Sequence, residues 1–486
     1  MLDAMSASPT IKGMYIDGSW VPAARTFEDL NPSDNSLYAR IPDGSVEDVR
    51  RAIKAAKAAF PAWSNLRFHD RAHYLLKIAD VWESRKDDFV AAAVAEGGGW
   101  FGKGVFEAGY VAEVFRSAAA LCYQNIGEIL PSEHGKLSMA TRWPLGVISV
   151  ISPWNMPGIL TSRGFAAALA AGNTVVLKPS EDTPYSGGLF FAEVLEQAGI
   201  PKGVFNVVTC SRESVGAVGD EMIGNPTVKA VSFTGSTAVG RHIAAKCGAH
   251  LKKACVELGG KDSMIILEDA DLDHAAKAAN FGSFMHQGQI CMSTERIIVV
   301  EAVADAFAAK FAAKAKSLVT GDPREGTTPL GAVVDRKTVD HVNSLINDAT
   351  AKGATVLSGG TADSVLMPAT VVDGVTSAMN LYRDESFGPI VAMIRAKDEA
   401  DAIRLANDSD YGLSASVFTK DTARGLGVAR QIKSGICHVN GPTVHDEAQM
   451  PFGGVGASGY GRFGGKAGID SFTELRWITI ETQPGH

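Results

Sequence analysis

The chain has 486 residues, of which 46% are hydrophobic and 21% are charged. This is the composition of a soluble globular protein, and the length predicts two or three domains. The formal net charge of −8 argues against nucleic acid or an anionic membrane as a main partner. The sequence shows no secretory signal, and no run approaches the roughly 20 apolar residues that cross a bilayer.

The six cysteines are scattered along the chain, and none forms a C-x-x-C pair. This spacing predicts neither a zinc site nor a thioredoxin-like motif, so we expect no bound metal. Scattered thiols without a signal segment indicate reduced cysteines and a cytoplasmic protein.

In chain order, the first predicted elements are a short strand pair around residues 13–21 and a mostly helical section. From residue 146, short apolar strands alternate with helices, beginning with GVISVIS (146–152) and a helix that stops near Gly172. Such strands imply a parallel sheet covered on both faces. The sequence therefore predicts an α/β fold with a doubly wound, Rossmann-like domain.

A second alternating section runs from about residue 296 to residue 440. It includes predicted strands such as PIVAMI, and predicted helices near 302–318, 336–351 and 398–407. No repeat, low-complexity tract or disordered linker stands out, so we expect docked domains with a cleft between them.

Three glycine-containing segments are candidates for holding phosphate. GVGASG (454–459) and GYGRFG (459–464) match G-x-G-x-x-G, but neither follows a strand and opens a helix. We interpret both as a surface or interface loop. In AVSFTGSTAVGRHI a strand ends at Thr234, Gly235 makes the turn and Ser236 caps a helix, whose free N–H groups suit a pyrophosphate. An ordinary capped turn has the same local pattern.

The segment LKPSED (177–182) places Lys178 and Glu181 just past a predicted strand, where open α/β sheets bind ligands. A carboxylate there accepts both hydroxyls of an adenine ribose and repels a 2′-phosphate, which favours NAD over NADP. A solvated Lys–Glu pair is the alternative, and the combination with Gly235 favours the cofactor.

Four further segments carry polar chemistry: SPWNMPG (152–158), VELGGKD (256–262), DESFGPI (384–390) and the region around Cys291. Taken singly, each has a structural interpretation. Asn155 fits a turn, Glu257 a surface acid, Glu385 a cap, and Cys291 a small apolar filler.

Together these segments resemble the NAD(P)-dependent aldehyde dehydrogenase superfamily, from about residue 15 to about residue 480. Seven motifs occur in the family order, namely PWN, KPSE, FTGS, ELGGK, GQIC, ESFGP and PFGG. Their order and spacing carry the resemblance, since any one of them is modest evidence.

The resemblance implies that Cys291 attacks the aldehyde carbon as a thiolate. The Asn155 side-chain amide and the Cys291 backbone N–H would stabilise the thiohemiacetal oxyanion. After hydride transfer to the nicotinamide, Glu257 would act as general base on the water that hydrolyses the thioester. Lys261 is expected to be structural.

The same resemblance implies NAD as cofactor and assigns residues to its parts. Glu385 would hold the nicotinamide ribose and Phe387 would pack beside the nicotinamide. The full set expected to contact the cofactor is Trp154, Lys178, Glu181, Gly235, Ser236, Glu385 and Phe387.

Three other classes remain as alternatives. A cysteine hydrolase needs a histidine paired with Cys291, and His286 lies five residues upstream on a segment expected to be helical and to point it elsewhere. A CoA-acylating relative generally lacks the glutamate that Glu257 supplies. A non-catalytic binding protein has no reason to keep nucleophile, base and oxyanion donor together.

The substrate tunnel of the family maps onto Met156, Leu160, Arg163, Ile290, Met292 and Phe452. Methionines with a phenylalanine suit a flat ring. Arg163 would stack on the ring or bind a ring hydroxyl or carboxylate, although a salt bridge on a helix surface is nearly as well supported. The segments ending at PFGG and FTELRWITI resemble the bacterial benzaldehyde, salicylaldehyde and vanillin branch. We therefore expect an aromatic aldehyde, with a semialdehyde or aliphatic aldehyde as the alternative.

The resemblance also implies a three-part architecture. An NAD-binding domain would cover 1–127 and 146–256, a catalytic domain 257–457, and oligomerisation segments 128–145 and 458–486. LSMATRWPL and LRWITIE read as strands, and pairing across subunits would extend a sheet. A homodimer is expected, and a tetramer is compatible.

Overall fold

The computed structural model describes residues 8–124, 126–133, 135–325 and 328–481. The strands are β1 Met14–Ile16, β2 Ser19–Val21, β3 Thr26–Leu30, β4 Leu37–Pro42, β5 Gly127–Leu130, β6 Lys136–Pro144, β7 Val147–Ile151, β8 Thr174–Lys178, β9 Phe205–Val207, β10 Val228–Thr234, β11 Lys253–Glu257, β12 Asp262–Ile266, β13 Thr294–Val300, β14 Thr355–Ser358, β15 Thr370–Asp373, β16 Ile390–Ala396, β17 Ala415–Phe418, β18 His438–Val439, β19 Gly459–Tyr460 and β20 Thr473–Glu481.

The α-helices are α1 Val46–Ser64, α2 Phe68–Ser84, α3 Lys86–Gly97, α4 Phe101–Leu121, α5 Pro157–Ala170, α6 Phe190–Gln197, α7 Val215–Gly224, α8 Thr237–Ala249, α9 Leu272–Phe284, α10 Glu301–Lys316, α11 Arg336–Ala351, α12 Asn380–Arg383, α13 Glu399–Asn407, α14 Thr422–Ala429 and α15 Gly465–Ser471. None of these helices is long and apolar enough to span a bilayer, over the residues that the structure describes. The strand–helix alternation predicted from residue 146 is confirmed.

The first sheet has eight strands in the order β19-β11-β10-β7-β8-β9-β1-β2. Strands β7 to β11 run parallel, and the strands at the two edges are antiparallel. Successive side chains point to opposite faces, so Ile148 and Val150 pack into one apolar cluster while Val147 joins the other. Both faces are therefore covered, as the apolar strands predict.

The second sheet has seven strands in the order β14-β15-β16-β13-β12-β17-β18, all parallel except β14. It has the same two-sided packing, since Met264 and Ile266 point into one cluster and Ile265 into another. The chain passes from the first sheet to the second within residues 258–261, between β11 and β12.

A third sheet contains β5, β6 and β20, all antiparallel. The two predicted strands, β6 and β20, pair with each other along nine residues within one chain. The expectation that they pair across subunits therefore does not describe the contact seen here. Within the described part of this segment, residues 458–481, β20 is the strand that joins this sheet.

Two features differ from the sequence-based expectations. Strands β3 and β4 form a separate antiparallel pair in a section expected to be helical. In β3 one of the five residues is buried, β4 contains both exposed and buried residues, and the charged TFEDL segment carries little apolar signal. Gly459–Tyr460 is not a surface loop, because it pairs with the end of β11 as the edge strand of the first sheet.

Candidate active site

The candidate residues lie where two sheet edges face each other. Asn155, Ser236 and Glu257 follow or end β7, β10 and β11, at the carboxyl edge of the first sheet. Cys291 and Phe387 each lie three residues before β13 and β16, at the amino edge of the second sheet. Because parallel strands end at a common edge, motifs far apart in sequence meet in one cleft.

A cavity of about 260 Å³ occupies this cleft. Nine of the sequence-predicted residues line it: Trp154, Asn155, Leu160, Gly235, Ser236, Glu257, Cys291, Glu385 and Phe387. The structure therefore brings the predicted nucleophile, oxyanion donor and base together with part of the predicted cofactor site.

Cys291 follows a buried turn of unusual backbone geometry. Three consecutive residues, His286, Gln287 and Gly288, have positive φ angles of 51°, 56° and 70°. Such strain persists only where surrounding contacts fix it. Here the Gln287 side chain donates to the Ala332 carbonyl at 2.6 Å. The turn therefore presents Cys291 from a fixed backbone.

His286 does not belong to a regular helix, because α9 ends at Phe284. Its ring is buried and lies edge-on to Trp154, with 6.2 Å between ring centroids. Burial and the positive charge of Lys103 hold the pKa of His286 well below its ordinary value. A buried neutral ring packed on Trp154 does not support the cysteine hydrolase alternative.

Asn155 contacts the cysteine turn directly. Its Nδ2 donates to the Gln289 carbonyl at 2.8 Å. The amide nitrogen carries two hydrogens, so one remains for an oxyanion beside Cys291. The side chain is buried and lines the cavity, which excludes the exposed-turn interpretation.

The chain that follows Glu257 passes close to Cys291 because its residues 259 and 260 are glycines. A Cβ at Gly260 would collide with the Cys291 carbonyl oxygen, and one at Gly259 would collide with the Glu385 carboxylate. Only glycine permits this approach of the chain to both groups. Glu257 is 2% exposed, so it is not a surface acid.

Burial controls the protonation of both reactive groups. It raises the pKa of Glu257 to about 8, and the negative charge of Glu385 adds to the effect. Burial and the Glu257 carboxylate raise the pKa of the Cys291 thiol well above its ordinary value. Both groups therefore favour their protonated forms at neutral pH.

Glu385 and Phe387 are held by a buried ion pair between Lys261 and Glu295. Lys261 Nζ lies 2.6 Å from Glu295 Oε2, and Glu295 also accepts from the Ser386 and Phe387 backbone N–H groups. Lys261 is therefore structural, as expected. Glu385 Oε1 accepts from the Gly260 N–H at 2.9 Å. This leaves its other carboxylate oxygen facing the cavity region.

Of the other expected cofactor residues, Gly235 and Ser236 line this cavity, whereas Lys178 and Glu181 lie at the same sheet edge outside it. Ser236 caps α8 by accepting from Val239 N at 3.4 Å, and Gly235 precedes it. Lys178 Nζ lies 3.5 Å from Glu181 Oε2, and Lys178 is buried rather than solvated. Arg212 Nε donates to Glu181 Oε1 at 2.9 Å. No motif marked Arg212, which follows β9.

These positions fit a dinucleotide by their donor chemistry. The start of α8 offers backbone N–H groups beside the cavity, as an anionic pyrophosphate requires. Glu181 keeps a lowered pKa despite burial, chiefly because the Lys178 charge opposes the desolvation, so it remains an acceptor for hydroxyl groups.

The six expected substrate residues are all buried, but Leu160 is the one among them that lines the cavity. Cys291 packs against a core cluster that contains four others, namely Met156, Ile290, Met292 and Phe452. The last candidate, Arg163, is also buried but does not line the cavity around Cys291.

Arg163 does make a salt bridge, although not on a helix surface. Its Nη2 lies 2.5 Å from Asp446 Oδ1 and donates to the Tyr110 hydroxyl. The guanidinium carbon lies 4.9 Å from the Phe452 ring centroid. Its Nε and Nη1 have no hydrogen-bond partner among the described residues. Neither Tyr110 nor Asp446 carried a sequence signal as its partner.

Comparison with known proteins gives the same assignment. The model of the Aldehyde dehydrogenase family matches residues 20–478. A vanillin dehydrogenase from Pseudomonas fluorescens is 46% identical over 97% of this chain and 98% of its own. A solved structure of salicylaldehyde dehydrogenase from Pseudomonas putida G7, complexed with salicylaldehyde, has a TM-score of 0.94 and 43% identity, covering 96% of this chain and 98% of that one.

A betaine aldehyde dehydrogenase from Staphylococcus aureus, solved in complex with NAD+, has a TM-score of 0.95 and 32% identity. The match covers 100% of this chain and 98% of that one. The chain belongs to the aldehyde dehydrogenase family.

Proposed function

We propose that this protein oxidises an aromatic aldehyde to its carboxylic acid with NAD as hydride acceptor. One observation carries the proposal: Cys291, Asn155 and Glu257 line a single cavity together with Ser236 and Glu385. A nucleophile, an oxyanion donor and a base thus adjoin a helix start that suits a pyrophosphate.

The first step forms a bond between Cys291 Sγ and the aldehyde carbon after the thiol loses its proton. The carbonyl oxygen becomes an oxyanion, for which the second Asn155 Nδ2 hydrogen and the Cys291 backbone N–H are the donors. When bound, NAD accepts the hydride that leaves this carbon, and the product on Cys291 is a thioester.

The second step adds water to the thioester carbon. Glu257 takes a proton from that water, the carbon–sulfur bond breaks, and the carboxylic acid leaves with Cys291 restored. A carboxylate whose pKa is about 8 is a stronger base than an exposed glutamate. Burial of Glu257 thus suits it to this role.

The preference for NAD rests on Glu181. Its carboxylate accepts ribose hydroxyls and repels a 2′-phosphate, and Asp182 adds a second acidic side chain beside it. Arg212 neutralises part of this charge by pairing with both carboxylates. We therefore expect NAD to bind more tightly than NADP.

The aromatic assignment is supported by the relatives named for vanillin and salicylaldehyde, and by Met156, Met292 and Phe452 in the core cluster against which Cys291 packs. Because Arg163 does not line the cavity at Cys291, its unpartnered Nε and Nη1 would bind only a ring substituent that extends beyond that cavity. The semialdehyde alternative needs Arg163 as a carboxylate clamp, and pairing with Asp446 weakens the attraction of Arg163 for a second carboxylate.

A substrate panel tests the assignment. We expect kcat/KM with NAD to be higher for benzaldehyde and its hydroxylated forms than for acetaldehyde or succinic semialdehyde. Preference for succinic semialdehyde would overturn the aromatic assignment and leave the covalent mechanism standing.

The remaining proposals concern assembly and location. The three-stranded sheet exposes Ile129 and Trp477 at 72% and 75%, which supports a homodimer formed through the segments 128–145 and 458–486.

Division into an NAD-binding part (1–127 and 146–256) and a catalytic part (257–457) follows the two large sheets. All six cysteines are free thiols, as in a cytoplasmic protein.

A further inference from the structure

Helix α5, which follows Asn155, lacks a cap of its own. Its N-cap residue is Met156, whose side chain accepts no hydrogen bond, and Pro157 at the first position has no N–H. The next two donors are the N–H groups of Gly158 and Ile159. The helix start therefore needs an acceptor from elsewhere in the chain.

Glu107, on α4, supplies that acceptor. Its Oε1 accepts from Gly158 N at 2.9 Å and from Ile159 N at 3.2 Å. The carboxylate is 0% exposed, and its negative charge faces the positive end of the α5 dipole. One side chain from a distant helix thus fixes where α5 begins, two residues after Asn155.

Lys103 lies one turn earlier on α4 and completes a buried ion pair. Its Nζ is 2.5 Å from Glu107 Oε2, and both side chains are buried. Removing one partner of such a pair leaves an uncompensated buried charge. The pair is therefore a rigid unit whose members depend on each other.

The same lysine also reaches the cysteine turn. A Cβ at Gly99 would meet His286 Nδ1 at 2.9 Å and Lys103 Cδ at 3.4 Å, so the two side chains converge on this glycine. His286 begins the left-handed turn that leads to Cys291. Glu107 thus binds the segment that follows Asn155, and Lys103 lies near the turn that leads to Cys291.

We propose that Glu107 and Lys103 are positioning residues that hold Asn155 and the Cys291 turn in the geometry that stabilises the oxyanion. Neither residue lines the cavity at Cys291, so neither touches the reacting atoms. The inference rests on the proposed mechanism but not on the choice of aldehyde, because it concerns the oxyanion alone.

A double-mutant cycle tests the coupling. Glu107→Gln keeps an acceptor but leaves Lys103 unpaired, and should lower kcat/KM for aldehyde by about tenfold with little change in KM for NAD. In an Asn155→Ala background the same change should cost less than about twofold, because the donor it positions is already absent. Each variant is measured on protein shown to be folded, with whichever aldehyde the wild-type enzyme turns over.

The matched control is Glu193→Gln, which breaks the largely buried Arg85–Glu193 ion pair of 2.8 Å elsewhere in the same part of the fold. It should lower the melting temperature without lowering kcat/KM. If Glu107→Gln costs the same factor with and without Asn155, or costs nothing, the positioning role is wrong.

The double variant Lys103→Met/Glu107→Gln provides a second test in case Glu107→Gln does not fold. It keeps the acceptor for Gly158 and Ile159 and leaves no buried charge alone, so activity should recover to within about threefold of wild type. A folded double variant as impaired as Glu107→Gln would overturn the proposal. Absence of turnover with every aldehyde in wild type would instead overturn the proposed function.

Discussion

At the scale of single residues, burial determines the chemistry of Cys291 and Glu257. Burial in the cavity disfavours a charge on either group, and the Glu257 carboxylate further disfavours the Cys291 thiolate. The thiol and the acid therefore rest in their neutral forms, which avoids two adjacent buried negative charges. Reactivity should increase as the pH rises through the range in which they lose protons.

Alkylation of Cys291 measures this directly. In cofactor-free protein, the rate of reaction with iodoacetamide should keep rising above pH 8.5, the region in which an ordinary cysteine ionises. The Glu257 charge raises the thiol pKa, so Glu257→Gln should lower that pKa and move the profile to lower pH. Peptide mapping by mass spectrometry follows each cysteine separately.

Cys437 is the internal control, because burial alone raises its pKa to about 11. The pH profile of Cys437 alkylation should be the same in the wild type and in Glu257→Gln. A Cys291 profile that stays in place or moves to higher pH in Glu257→Gln would contradict the electrostatic link between the two groups.

At the scale of elements, the connection between β11 and β12 joins the first sheet, where Glu257 lies, to the second sheet, beside which Cys291 lies. Glu257 ends β11, Lys261 precedes β12, and the two glycines between them touch different partners. Gly260 approaches the Cys291 backbone, whereas Gly259 approaches the far end of the flexible Glu385 side chain. The two positions should therefore respond differently to the same added methyl group.

Gly260→Ala should lower kcat/KM on the order of 100-fold, because the Cys291 backbone must move. Gly259→Ala should mainly raise KM for NAD, because Glu385 can turn aside. Gly219→Ala, in α7, is the matched control, because among the described residues an added Cβ would meet no heavy atom within 4 Å beyond its own helix backbone. It should leave activity unchanged and stabilise the fold by roughly 1 kcal/mol. Wild-type kinetics for Gly260→Ala would show that the close approach has no role.

At the scale of the whole molecule, the sequence predicts which motifs come together at the site. It does not predict which side chains hold the site residues in place. Motifs such as PWN and FTGS follow apolar strands, so a parallel sheet brings them to one edge whatever the details. The partners of the site residues come from distant segments: Arg212 pairs with Glu181, and Tyr110 and Asp446 pair with Arg163. Nothing in their local sequence indicates those partners.

The local sequence pattern gave wrong secondary-structure predictions where tertiary contacts determine the backbone conformation. The left-handed turn at His286 and Gln287 is fixed by contacts with distant segments, such as the hydrogen bond from Gln287 to the Ala332 carbonyl. The local sequence does not contain this information, so the prediction that His286 lies on a helix was wrong. Strands β3 and β4 pair only with each other and lie partly exposed, which removes the apolar signal. Gly459–Tyr460 has no strand pattern and is recognised only by its partner β11.

The exposed three-stranded sheet leads to a prediction about assembly. Strand β5 is an edge strand, and apolar side chains lie open on the sheet. Trp477→Glu should shift the protein toward monomer in light scattering coupled to size-exclusion chromatography. Leu251→Glu, at an isolated position that is 96% exposed, should leave the mass unchanged. Equal masses for wild type and Trp477→Glu would count against an interface at this sheet.

Intact-mass spectrometry of Glu257→Gln after incubation with benzaldehyde and NAD tests the covalent mechanism most directly. Without the base, the thioester should persist, and the protein should gain the mass of one acyl group on Cys291 while forming about one NADH per active site. Cys291→Ser in the same background should gain none. Continued turnover of Glu257→Gln with no acyl mass on Cys291 would contradict the assignment of nucleophile and base.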